Sequence, residues 1–369
     1  MFDHPLISAD DHFDLDAFPP SLFTDRVASK LRDSVPTVVQ HADGPMWSIG
    51  GRLVGPSGRR PGGQITHAPL GLRPGNPAER LEEMDRDRMY TQVIYGPPNG
   101  LTFVDDPALR VECVRAYNDH AVQFNAYDPN RLVILALLPG HAPEAAIAEL
   151  ERAAKIGLRG VLLPLYESPT LPFGPAWERF WAAAHAAALP VHFHLSGGAS
   201  RLAPKLKSWE MPAYTSIVAM QMDEPLSALI FSGVLERYPG LKVVFGESGL
   251  GWVPYLIARM DQQFGKYNSR SEDIRLSARP SEIFRRQVLM TFEEDDLGIS
   301  LLDRIGADSV MWASDFPHGD TTWPNSHKVV EHSHLSRIDA GDRYKILCGN
   351  AAKLYRIDVE AGRRWATRQ

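Results

Sequence analysis

At several points in the sequence an apolar run ends in imidazole or carboxylate side chains. Asp10 and His12 close LISADDH, His192 and His194 lie in PVHFHLSG, Glu247 follows KVVFG, and Asp315 opens DFPH with His318 three residues on. Side chains two apart on a strand face the same side, so Asp10 and His12 can turn toward one ion. Mixed nitrogen and oxygen donors suit a first-row divalent ion. Zinc is expected first, manganese is also admitted by these ligands, and a catalytic site keeps one position for water. Such an ion brings the pKa of its water to about 7, which supplies a nucleophile without an activated serine or cysteine. A D-x-H tripeptide alone is weak, because such pieces arise by chance and a strand histidine usually packs in the core. Joint placement at the exits of several strands carries the reading.

Those exits must be built by strands. Short runs rich in Val, Ile and Leu recur about eight times, at Leu6–Asp10, Thr91–Tyr95, Leu132–Leu138, Gly160–Leu165, Val191–Leu195, Lys242–Glu247, Val288–Phe292 and Ser309–Ser314. They show little alternation, as strands buried on both faces should. Helical segments fall between them at Pro107–Tyr127, Pro143–Lys155, Pro175–Ala188, Pro225–Tyr238 and Trp252–Phe264, several with proline in the first turn. The rhythm predicts an α/β fold, a TIM (β/α)8 barrel with catalytic groups at the C-terminal ends of its strands. Residues 1–369 form one domain in this reading. The Gly/Pro-rich stretch 36–77 is an insertion after strand one, with a hairpin at PMWSIGGRLVG, lying over the barrel mouth as a lid. Ala340–Ile357 is the expected closing helix.

A hydrophobic share of 44% with 23% charged residues is enough to bury a large core and excludes general disorder. The 45 acidic and 39 basic residues are scattered, with no basic block to neutralise phosphates, so nucleic acid is not an expected partner. Cys113 and Cys348 are too few for a disulfide framework or a thiolate zinc site. With no signal-peptide pattern and no run long enough to span a bilayer, the expected setting is the cytoplasm, away from membranes.

Some polar residues read as bystanders. His192 sits deeper in its strand than His194 and packs or orients a ligand. Trp252 and Trp323 fall near strand exits, where they pack or line a substrate pocket. Glu293 and Glu294 read as a surface acidic turn, Asp11 as a solvent-facing or supporting group, and Glu82, Asp85 and Asp87 as helix-surface carboxylates. His332 and His334 fall in a helix, where positions two apart do not face each other.

The sequence resembles the amidohydrolase superfamily, and within it the branch of aminocarboxymuconate-semialdehyde decarboxylase. The resemblance runs from ISADDHF through ERLEEMDRDRMYTQVIYGP, LPVHFHLSG and PSEIFRRQVLMTFEEDD to GNAAKLY. It is most specific in LERYPGLKVVFGESGLGW and SDFPHGDTTWP. It implies a metal held by Asp10, His12, His194 and Asp315, and it implies a homodimer. Decarboxylases of the branch commonly carry a histidine at the strand-six exit, where this chain has Glu247.

The leading expectation is hydrolysis or hydration of a small organic substrate by metal-activated water. Asp315 accepts the water proton and Glu247 or His318 returns it. The alternative is non-oxidative decarboxylation of an aromatic or unsaturated carboxylic acid, and the third reading is a non-catalytic ligand-binding barrel.

Overall fold

The computed structural model describes residues 4–58, 75–168, 170–196, 202 and 207–368. Its strands are β1 (Leu6–His12), β2 (Thr37–His41), β3 (Gly44–Ile49), β4 (Arg52–Pro56), β5 (Met89–Tyr95), β6 (Leu132–Ile134), β7 (Ala136–Leu137), β8 (Val161–Leu162), β9 (Val191–His194), β10 (Val243–Gly246), β11 (Val288–Phe292) and β12 (Val310–Trp312).

Parallel pairing runs β1-β5-β6 in one sheet and β7-β8-β9-β10-β11-β12 in another. The two sheets are one circuit. β6 and β7 are a single run broken at Leu135, whose N–H donates to the Ile94 carbonyl at 2.9 Å, while the Ala136 N–H donates to Gly160 at 3.0 Å. At the other end the Asp315 N–H donates to the Asp10 carbonyl at 3.1 Å and the His12 N–H to Phe316 at 2.8 Å, joining the last strand to the first. Eight parallel strands thus close into the expected (β/α)8 barrel, with β1, β5, β9, β10, β11 and β12 buried along their whole length.

The crossover helices follow from local chemistry. Pro107 opens the helix Pro107–Asn125, and the Asp106 side chain accepts the Leu109 N–H at 2.8 Å as its cap. The expected helix over 225–238 is instead two, Asp223–Phe231 and Val234–Arg237, because Gly233 takes φ +73°. The closing segment is likewise divided, into Ala340–Tyr344, a wider turn over Lys345–Gly349, and Asn350–Tyr355. A further helix, Val359–Ala366, ends the described chain.

Between β1 and β5 stands a small antiparallel sheet, β2-β3-β4. Gly50 and Gly51, at φ +55° and +82°, make its tight hairpin turn. Buried Trp47 anchors it on Phe23, with ring centroids 5.6 Å apart. Arg52 donates to the Phe103 carbonyl at 2.7 Å and the Gly58 N–H to that of Asp16 at 2.8 Å, so the sheet is tied to the loops that leave β1 and β5. The remainder of the expected insertion, 59–74, lies outside the described residues.

Candidate metal centre

At the exits of β1, β9, β10 and β12, side chains gather at one point. His12 Nε2 is 3.1 Å from Asp315 Oδ1 and 3.8 Å from Asp10 Oδ1. His194 Nε2 is 3.5 Å from Asp10 Oδ1 and 3.4 Å from Glu247 Oε2. Two overlapping groups result, Asp10 with His12 and His194, and His12 with Glu247, Asp315 and His318, each with donor atoms within 4.8 Å of one another. Asp10 Oδ1, His12 Nε2, His194 Nε2 and both Asp315 oxygens are buried and make no hydrogen bond. Buried polar atoms are normally satisfied. Buried donor atoms gathered in two groups that share His12 therefore fit a cation, and the imidazole and carboxylate types fit a first-row divalent ion.

The other end of each donor group is tied. Asp10 Oδ2 accepts from the Thr291 hydroxyl at 2.7 Å and from the Glu247 N–H at 2.8 Å, leaving Oδ1 for the centre. His194 Nδ1 lies 2.6 Å from the Leu195 carbonyl, so Nδ1 is a donor to the backbone and Nε2 is the nitrogen turned to the centre. Gly246 can have no side chain: a Cβ there would stand 2.6 Å from His194 Cδ2 and 2.8 Å from Asp10 Oδ2.

Backbone irregularities aim these groups. The β1–β5 register slips between Ser8 and Asp11, and this bulge brings both, three residues apart, against Ser314. Glu247 and Asp315 occupy the left-handed region at φ +47° and +56°, costly for residues with a Cβ and characteristic of functional sites. Asp295 pins the β10 exit to the β11 exit by accepting the Leu250, Gly251 and Gly298 N–H groups, each at 2.7 Å.

Electrostatics separate the histidines. Burial, helped by the charge of His318, holds His12 well below its ordinary pKa, in the neutral form that a metal ligand requires. Burial also opposes charge on His318, but Asp315 and Asp14 outweigh it and hold that pKa well above the usual value. His318 Nδ1 is 3.0 Å from Asp315 Oδ1 and its Nε2 is 2.9 Å from Asp14 Oδ2, while its ring stacks on His12 with centroids 3.7 Å apart. Burial, and then the charge of Asp315, push the carboxyls of Glu247 and Glu293 well above the usual range.

The residues singled out in the sequence separate accordingly. Asp10, His12, His194, Glu247, Asp315 and His318 come together. His192 does not: its Nδ1 lies 3.0 Å from the Val161 carbonyl and its Nε2 2.7 Å from the Tyr355 hydroxyl, inside the barrel. Trp252 donates to the Ser248 carbonyl at 2.7 Å and braces the β10 exit turn. Trp323 is buried on the Phe316 ring and donates to the Glu83 carbonyl at 3.2 Å, packing against the helix Pro77–Arg86.

Two readings are corrected and one is narrowed. Glu293 is no surface carboxylate, since its Oε1 is buried and its pKa responds to Asp315 and Asp10. Of the two readings of Asp11 the supporting one holds: it is fully buried and accepts from Ser314 and Phe316, because the outer face of a barrel strand is covered by helices. Asp87 is also buried, holding the Ser326 N–H at 2.9 Å. Thr291 and Asp14 were missed. Asp14 had a signal, standing two residues beyond His12 in DHFD.

Among known proteins, the gamma-resorcylate decarboxylase of Polaromonas sp. is 24% identical over 306 residues, covering 76% of this chain and 87% of that protein. The 2-amino-3-carboxymuconate-6-semialdehyde decarboxylase of Dictyostelium discoideum is 27% identical over 258 residues, 66% of this chain and 67% of its own length. Of solved structures, 5-carboxyvanillate decarboxylase from Sphingomonas paucimobilis superposes with a TM-score of 0.72 at 21% identity, over 96% of this chain and 99% of that one. A dihydroxybenzoic acid decarboxylase from Polaromonas sp., with bound manganese and 2-nitroresorcinol, gives 0.65 at 18% identity, over 96% and 97%. These likenesses agree with the barrel derived from the strand pairing. The amidohydrolase family model matches residues 66–357, and the chain belongs to that family, in the branch of its superfamily that contains these decarboxylases.

Proposed function

We propose that this enzyme is a divalent-metal-dependent carboxy-lyase that removes carbon dioxide, without oxidation, from a small aromatic or unsaturated carboxylic acid. The observation that carries the reading is the convergence of the unsatisfied atoms of Asp10, His12, His194 and Asp315 at the barrel mouth, in a chain whose compared relatives are decarboxylases. Those four residues would hold the ion. When bound, the ion supplies a positive anchor for the substrate carboxylate and a neighbouring oxygen.

The chain's own residues then handle the proton. As the carbon–carboxylate bond breaks, its electron pair stays on the substrate carbon, which must gain a proton. Glu247, kept protonated by burial and by the charge of Asp315, stands 3.4 Å from His194 at the edge of the centre and gives up that proton. His318, placed between Asp315 and Asp14, carries protons at both Nδ1 and Nε2 and keeps Asp315 oriented. The β2-β3-β4 insertion, tied to the loops leaving β1 and β5, shapes the substrate entrance.

A second reading, metal-dependent hydrolysis, is favoured by Glu247 itself, a carboxylate where the related decarboxylases commonly carry a histidine. It brings no positive charge, unlike a protonated histidine, and it offers an acid for a leaving group. One experiment separates the two. Protein stripped of metal and reloaded with manganese or zinc is given a panel of hydroxybenzoates and a panel of small amides and lactones. Metal-dependent release of carbon dioxide from the first panel supports the proposal. Turnover confined to the second assigns the hydrolytic reading instead.

A further inference from the structure

We propose that Asp11 is a positioning residue that sets the geometry of the metal centre from outside it. Its buried carboxyl grips the chain on both sides of Asp315 and holds that carboxylate toward His12; the inference rests on the reading of Asp315 as a ligand. Asp11 contributes no atom to either donor group. Its Oδ1 accepts the Ser314 hydroxyl at 2.6 Å and the Phe316 N–H at 3.0 Å. The Ser314 N–H is held by Ser8 Oγ at 2.8 Å and the Asp315 N–H by the Asp10 carbonyl at 3.1 Å. Three successive residues of the β12 exit are thus anchored to β1, with Asp11 supplying two of five hydrogen bonds, the fifth being from the His12 N–H to the Phe316 carbonyl at 2.8 Å.

The anchoring has a specific task. Asp315 lies at φ +56°, a conformation that a residue with a Cβ keeps only where its surroundings over-determine it. From that conformation its Oδ1 stands 3.1 Å from His12 Nε2 and 3.0 Å from His318 Nδ1. Buried Arg80 restrains the same two turns from the helix Pro77–Arg86, donating to the His12 carbonyl at 2.8 Å and to that of Phe316 at 3.5 Å. Without the Asp11 acceptor, the Ser314 and Phe316 donors are released together, and Asp315 relaxes toward extended backbone with its carboxylate turned from the centre.

The test measures equilibrium affinity for Mn2+ and Co2+ by competition with a chromogenic chelator, and the visible spectrum of the Co2+ form, in the full chain. Asp11→Ala is expected to weaken both ions by about 10- to 100-fold, the range for lost supporting partners of ligands, and to alter the Co2+ spectrum. Asp11→Asn keeps an acceptor oxygen in place and should bind within about 3-fold of the parent, a rescue that mere loss of packing does not predict. Ser314→Ala, which removes one of the two grips, should fall between them, and it carries the test with Asp11→Asn if Asp11→Ala does not fold. Parental affinity in Asp11→Ala or Ser314→Ala, or Asp11→Asn no better than Asp11→Ala, overturns the proposal. Asp315→Asn tests the underlying reading separately. If it binds both ions as tightly as the parent, Asp315 is no ligand; if it loses them while Asp11→Ala does not, only the role of Asp11 fails.

Discussion

Replacing Thr291 by valine removes one oxygen from the interior and changes almost nothing in shape. The hydroxyl is fully buried, donates to Asp10 Oδ2 at 2.7 Å and accepts the Glu247 N–H at 2.8 Å. In the valine variant Asp10 Oδ2 keeps one donor, the Glu247 N–H, and the carboxylate gains freedom to rotate about its last bond. A hydrogen bond to a charged group contributes about 1.5–3 kcal/mol. At about 1.4 kcal/mol per factor of ten, the loss corresponds to a roughly 10- to 100-fold change in an equilibrium constant. Part of that change falls on folding and part on the metal, because Asp10 must be held at Oδ2 to present Oδ1. With the effect shared evenly, the expected result is metal affinity weakened about 3- to 10-fold by chelator competition, with urea unfolding of the metal-free protein shifted by no more than about 3 kcal/mol. Thr291→Ser, which keeps the hydroxyl, should restore most of the affinity. A valine variant that binds metal as tightly as the parent refutes the claim that Thr291 orients Asp10.

Gly246→Ala sets a methyl group 2.6 Å from His194 Cδ2, 2.8 Å from Asp10 Oδ2 and 3.1 Å from Tyr95 Cε1, all on buried residues. Overpacking of this kind costs about 1–3 kcal/mol. Lower urea-unfolding stability and weaker metal binding should appear together, and an unchanged unfolding midpoint would count against the close approach. Asp87 supplies a pH test away from the centre. Burial raises its pKa from 3.8 to about 7, so its stabilising contribution is complete below about pH 4 and is lost as pH rises through about 7. At 1.36 kcal/mol per unit this amounts to at most about 4 kcal/mol. Unfolding curves of the parent should therefore fall relative to those of Asp87→Asn between pH 4 and 7.5, and parallel curves would show that the buried carboxyl does not titrate there.

Much of this architecture can be read in the sequence because parallel strands buried on both faces leave uninterrupted apolar runs, and because a polar residue ending such a run has one place to go. His12, His194, Glu247 and Asp315 are of that kind. What escapes reading is set by elements far apart in the chain. Asp11 looks solvent-facing by alternation, yet the outside of a barrel strand meets a helix. Asp87 ends a helix like any surface carboxylate until the segment after β12 returns with Ser326 to cover it. Glu293 stands in a run of four acids, FEEDD, whose composition suggests a surface turn, and only its place one residue beyond β11 brings it against the centre. The hydrolytic expectation gave weight to one residue, Glu247, whereas the relatives compared over most of the chain are decarboxylases.

The hydrogen bonds that join β12 to β1 have a meaning for how the molecule is made. The first two proposed ligands emerge from the ribosome at residues 10 and 12 and the last at 315, near the opposite end of the chain. They meet only across the seam where the ring of strands shuts. A nascent chain that has not yet released its eighth barrel strand holds three of the four proposed ligands, Asp10, His12 and His194, and lacks the fourth. On the proposed ligand set, the site is complete only once the two ends of the polypeptide have found each other.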